Sequence, residues 1–93
     1  MDDYPYLVAA TSRVITRLRE DAGLSKRKFA ELASIDRSYL VQIEQGKYRP
    51  TLNSIFHMAG ALGMSAAELV HQIEKEQLAI QQSIHADNNF QIF

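Results

Sequence analysis

The stretch SKRKFAELASIDRSYLVQIEQG, residues 25–46, carries two short helical patterns on either side of a tight turn. Ser25 is a helix-capping type, because its hydroxyl accepts from the N–H groups that the first turn leaves open. Lys26 to Ala33 then forms one short helix that packs Phe29, Leu32 and Ala33. Ser34-Ile35-Asp36 reads as the turn, with Asp36 placed to cap a second helix from Arg37 to about Gln45. The inward side of that helix is Leu40 and Ile43. Gly46 ends it, since glycine tolerates the left-handed conformation that closes a helix.

Upstream, Val14, Ile15, Leu18 and Ala22 recur at helical spacing, so a helix from about Leu7 to Ala22 is expected, stopped by Gly23. Downstream, Lys47-Tyr48-Arg49-Pro50 is a loop, and Pro50 keeps Arg49 extended. Thr51 caps a fourth helix with Leu52, Ile55, Phe56, Ala59 and Leu62 on one face, and Gly63 stops it. Ser65-Ala66-Ala67-Glu68 has the form of a capping box and opens a fifth helix. The fold class is therefore all-α, with no convincing strand before the last few residues.

Composition narrows the function classes. A hydrophobic share of 46% is that of an ordinary globular protein, and no run of 18 apolar residues is present to span a membrane. The chain has no cysteine, hence no disulfide framework or thiolate metal site. Met1-Asp2-Asp3-Tyr4-Pro5 lacks the basic and apolar regions of a secretory signal, so a cytoplasmic location is expected. His57, His71 and His85 do not make a metal site, since 71 and 85 on one helix lie about 21 Å apart. No phosphate-binding glycine loop, nucleophile elbow or paired-carboxylate pattern is present. The chain reads as neither an enzyme nor a cofactor protein.

The formal charge is −1, but it is unevenly distributed. Residues 13–49 hold nine Lys/Arg against five acids, while residues 1–12 carry −2 and residues 50–93 carry −3. A small protein with such a gradient presents a basic face while neutral as a whole. Arg37, Ser38 and Gln42 lie together on the side of the 37–45 helix opposite Leu40 and Ile43. That is a short polar reading surface on an apolar support, of a size that enters a groove about 12 Å wide.

At Leu18-Arg19, Gly23-Leu24-Ser25, Phe29-Ala30, Leu32-Ala33, Tyr39-Leu40, Ile43-Glu44, Gly46-Lys47, Pro50-Thr51-Leu52 and Ala61-Leu62-Gly63 the chain resembles the Cro/repressor-type helix-turn-helix regulators. This is the xenobiotic-response-element family of bacteria and phages. The resemblance runs over roughly residues 13–70 and implies a five-helix bundle whose third helix enters the major groove of double-stranded DNA. It implies base reading by Arg37, Ser38 and Gln42, with Tyr39 at the groove edge. Phosphate contacts are implied for Ser25, Lys26, Gln45, Lys47, Tyr48 and Arg49. Where many relatives have glutamine this chain has Lys26, which exchanges a directed hydrogen bond for a charge. Arg27 and Lys28 fit a solvated face as well as a phosphate contact. Arg19 and Glu44 take the positions of a structural ion pair between the first and third helices.

Beyond the capping box, Val70, Ile73, Gln77, Ile80 and Ile84 fall at steps of three and four, a seam with one polar residue. A helix over about 66–85 would project from the bundle, so homodimerisation through this seam is expected. The alternative is a helix folding back on its own core. The expected division is a DNA-binding domain over 1–66 and a C-terminal helix and tail over 67–93. The final Asn88-Asn89-Phe90-Gln91-Ile92-Phe93 fits an intersubunit strand or arm as well as a disordered tail. A homodimeric repressor or autoregulator on a palindromic operator is the leading reading. An antitoxin whose C-terminal segment binds a protein partner, and a controller of a restriction–modification system, are the alternatives.

Overall fold

The computed structural model describes residues 1–91, and their side chains as far as His85. Five helices follow in order: α1 (Leu7–Asp21), α2 (Lys26–Leu32), α3 (Arg37–Glu44), α4 (Leu52–Ala61) and α5 (Ala66–Gln91). Local chemistry sets most of these boundaries. Ser25, Thr51 and Ser65 each accept, through the side-chain oxygen, the N–H three residues on, at 3.0 Å. Glu68 does not return the bond to complete a capping box; its carboxylate accepts from Gln72 instead, at 2.9 Å. Asp36 has the extended backbone of a cap but makes no side-chain bond to α3, contrary to expectation. Its charge still complements the positive end of the helix dipole.

The first four helices all end the same way. The N–H of Leu24, Ile35, Lys47 and Met64 returns to the carbonyl five residues earlier, closing a Schellman turn. The residue just before each of these has a positive φ. At three of the four that residue is glycine; between α2 and α3 it is Ser34, at φ 55°. A side chain in this region costs roughly 1–2 kcal/mol, so the turn is formed under local strain.

The core is one cluster drawn from all five helices, in which Val14, Ile15, Phe29, Leu40, Ile43, Met58 and Leu69 are fully buried. Two parts of the expected core lie outside it. Leu32 is exposed, and on α4 Leu52 and Phe56 are 71% and 61% exposed while Ile55, Met58 and Ala59 face inward. The reason is that apolar residues occur on nearly every side of α4, so periodicity alone does not select the buried face.

The larger departure is α5. It packs along α1 and against α4, and Ile73, Gln77 and Ile80 are buried within the chain itself. Gln77 is 3% exposed and its amide donates to the Pro5 carbonyl at 3.0 Å and to Gln81 at 3.1 Å. The seam is thus covered by the chain's own first helix, leaving Val70 exposed and Ile84 partly buried. No packing boundary falls near residue 66, since Leu69, Ile73 and Ile80 belong to the common core. Helix α5 continues to Gln91, so residues 88–91 are helical and not an extended arm; Ile92 and Phe93 lie outside the described residues. Among the described residues no helix is long and apolar enough to cross a membrane.

Candidate nucleic-acid interface

Helix α3 is two-faced. Leu40 and Ile43 are fully buried, while Arg37, Ser38, Val41, Gln42 and Gln45 face outward. With Lys47 these five line an open, shallow hollow. Arg37, Ser38, Gln45 and Lys47 are exposed, and Val41 and Gln42 are half-buried. Helical spacing brings a guanidinium, a hydroxyl and two amides to one side of two turns, and the loop after α3 adds the Lys47 ammonium. Val41 went unmarked in the sequence, although it stands four residues from both Arg37 and Gln45. Its side chain gives the hollow an apolar floor of the kind that meets a thymine methyl.

Behind α3 lies a polar anchor. Arg19 on α1 meets Glu44 at the end of α3 through two hydrogen bonds of 2.8 and 3.1 Å, and donates a third to the Leu24 carbonyl at 2.8 Å. The two side chains are 9% and 4% exposed. Two parallel bonds fix direction as well as distance, so the pair sets the orientation of α3 on α1. The Glu44 hydrogen bond, aided by its charge, raises the Arg19 pKa against the opposing effect of burial. Ser12 adds a bond from its hydroxyl to the Glu44 carbonyl.

Tyr39 joins this frame, although the sequence placed it with the readers. Its hydroxyl accepts from the Thr51 N–H at 3.2 Å and from the Ser54 hydroxyl at 3.3 Å, tying α3 to the start of α4. Its ring lies 6.5 Å from that of Tyr48, tilted by 42°. The Ser25 hydroxyl is likewise engaged, as the cap of α2. The start of the α3–α4 loop is held by the N–H groups of Lys47 and Tyr48, which converge on the Gln42 carbonyl at 2.9 and 3.4 Å.

The basic residues sort into two sets. Arg13 and Arg17 pair with Glu76 on α5 at 3.6 and 3.3 Å, Arg19 with Glu44, and Arg49 with Asp3. Lys26, Arg27, Lys28, Arg37, Lys47 and Lys75 have no ion pair among the described residues. Five of these six unpaired cations lie at the start of α2, the start of α3 and the loop after it; the sixth, Lys75, is on α5. The arginines of α1 are therefore all paired, whereas the two cations that line the α3 hollow, Arg37 and Lys47, are not. The partners Glu76 and Asp3 had no signal in the sequence, because each pair joins positions more than 40 residues apart.

Comparison with known proteins bears on this arrangement. The helix-turn-helix family model HTH_3 matches residues 15–69. The immunity repressor protein of Bacillus phage phi105 is 36% identical over 66 residues, 68% of this chain, which spans 46% of the phage protein's length. The restriction–modification controller protein C.AhdI from Aeromonas hydrophila has a structure that superposes with a TM-score of 0.64 at 35% identity, covering 71% of this chain and 98% of C.AhdI. The controller protein C.Esp1396I, solved as a tetramer on its natural 35 base-pair operator, superposes with a TM-score of 0.72 at 25% identity, covering 81% of this chain and 99% of that one. With the family pattern spanning more than half of its residues, the chain belongs to the HTH_3 helix-turn-helix family, the Cro/repressor-type regulators its sequence resembles.

Proposed function

We propose that this protein is a sequence-specific, double-stranded-DNA-binding transcription regulator that acts in the cytoplasm as a homodimer, most simply as a repressor. The observation that carries the reading is the open polar hollow on α3, lined by Arg37, Ser38, Val41, Gln42, Gln45 and Lys47, whose two cations, Arg37 and Lys47, have no ion pair among the described residues. In this reading Arg37 pairs with guanine and Gln42 with adenine, each pairing discriminating by about 1–3 kcal/mol. Lys26, Gln45, Lys47, Tyr48 and Arg49 face phosphate, along with the Ser25 end of α2. Tyr39 acts through the position of α3.

Pairing of two copies is supported by the operator-bound assembly of C.Esp1396I and by the small reach of a single α3. With Ile73, Gln77 and Ile80 used inside the chain, Leu52 and Phe56 on α4 and Val70 and Leu78 on α5 are among the exposed apolar side chains left for a second copy. The similarity to C.AhdI over almost its full length favours a second reading, in which the operator controls a restriction–modification pair.

Selection of bound DNA from a random pool tests the proposal. Enrichment of an inverted repeat, with half-site centres about 34 Å or a multiple of that apart, is the expected result. A pool that gains no sequence preference overturns it.

A further inference from the structure

Arg49 is one of the cations placed toward phosphate, yet in the free protein an acid already occupies it. The Asp3 carboxylate accepts from the Arg49 guanidinium, both side chains standing more than 60% exposed at 64% and 63%. The contact is not a chance collision of a loose end. The Pro5 carbonyl is held by the buried Gln77 amide at 3.0 Å, and Leu7 N–H closes a turn onto the Tyr4 carbonyl at 3.2 Å. Tyr6 adopts φ 62°, a left-handed conformation that a bulky residue takes only under constraint. Val8 of α1 lies beside Gly46, which starts the loop leading to Arg49. These fixtures aim residues 1–3 back across that loop, where Met1, Asp2, Asp3, Tyr4 and Arg49 line one hollow.

We propose that residues 1–3 are a built-in acidic arm that competes with the DNA backbone for Arg49. The Asp3 carboxylate offers the guanidinium the same anionic oxygens that a phosphate offers, and Asp2 adds a second negative charge beside it. DNA must displace the arm before Arg49 can join the interface. The arm thereby lowers affinity for all sequences alike and restrains non-specific binding. The inference rests on Arg49 facing phosphate, as in the proposed function.

Four full-length proteins test it: the wild type, Asp3→Asn, Arg49→Ala and the double variant. Each is titrated with a random-sequence DNA duplex at several salt concentrations, since phosphate contacts need no particular sequence. Both positions are exposed, so folding is not at issue. Asp3→Asn is expected to bind about two- to fivefold more tightly at low salt, the range of an exposed ion pair, with a salt slope steeper by up to about 1. The gain shrinks as salt rises and is absent in the Arg49→Ala background. Equal binding by Asp3→Asn and wild type overturns the arm, as does a gain that persists without Arg49, which would mark general repulsion. A double variant as tight as Asp3→Asn has a different meaning: Arg49 is then not on phosphate, and that part of the functional reading fails.

Discussion

Helices α3 and α5 both rest on α1, but they are held in different ways. Helix α3 has eight residues and is fixed by directed polar bonds: the Arg19–Glu44 pair at one end, and Tyr39 tied to the α4 cap on its flank. Helix α5 has 26 residues and is held by a spread of apolar contacts, with one buried amide, Gln77, and a surface pairing through Glu76. Apolar burial is non-directional and grows with area, so a long helix is secured by it without precise orientation. A helix of two turns buries little, and one that must enter a groove needs its rotation set. On the proposed reading, the polar anchors lie on the helix that reads bases and the apolar seam on a helix that needs only attachment.

The sharpest way to break this contrast is at the anchor. Glu44→Ala leaves the Arg19 guanidinium buried without its partner, and a loss of about 3–5 kcal/mol is expected in chemical denaturation. The raised Arg19 pKa contributes stability that is complete below the unfolded arginine pKa and lost only as pH rises through the higher folded value. On the arginine's side the anchor is therefore constant across neutral pH. At the seam, Ile73→Ala is expected to cost about 2–5 kcal/mol through the cavity it leaves. That loss should be independent of protein concentration, because α1 of the same chain covers Ile73. A loss that grows on dilution would assign the seam to an interface between copies.

Two smaller effects sharpen the account of α3. Lys47→Ala is expected to weaken binding to all sequences alike and to reduce the salt slope by about 1, as filter-binding or anisotropy titrations across salt concentrations will show. Ser34→Gly relieves the left-handed strain of the α2–α3 turn. It should raise stability by roughly 1 kcal/mol in denaturant titration and leave DNA selectivity unchanged.

The parts legible in the sequence are those governed by neighbours along the chain. Ser25, Thr51 and Ser65 cap the helices they precede, and Gly23, Gly46 and Gly63 close the ones they follow. The outward set Arg37, Ser38 and Gln42 followed from helical spacing within α3. What spacing does not give is the identity of the partner across space. The steps between Ile73, Gln77 and Ile80 marked a buried face but not which helix buries it. Phe56 shows the same limit from the other side, since a hydrophobic residue on an all-round apolar helix carries no record of which way it points. The pairing of Arg49 with Asp3, and of Arg13 and Arg17 with Glu76, depends on chain segments meeting only in the folded bundle.

The central claim is that α3 presents its outer side chains to bases from a fixed frame. Parallel selections from a random DNA pool with the wild type and Arg37→Ala test it most directly. One inverted repeat is expected for both proteins, with base preference lost at a single position of each half-site in the variant and kept elsewhere. An unchanged preference at every position would contradict the claim, as would a uniform loss of affinity with the selected site intact, which would make Arg37 another phosphate contact.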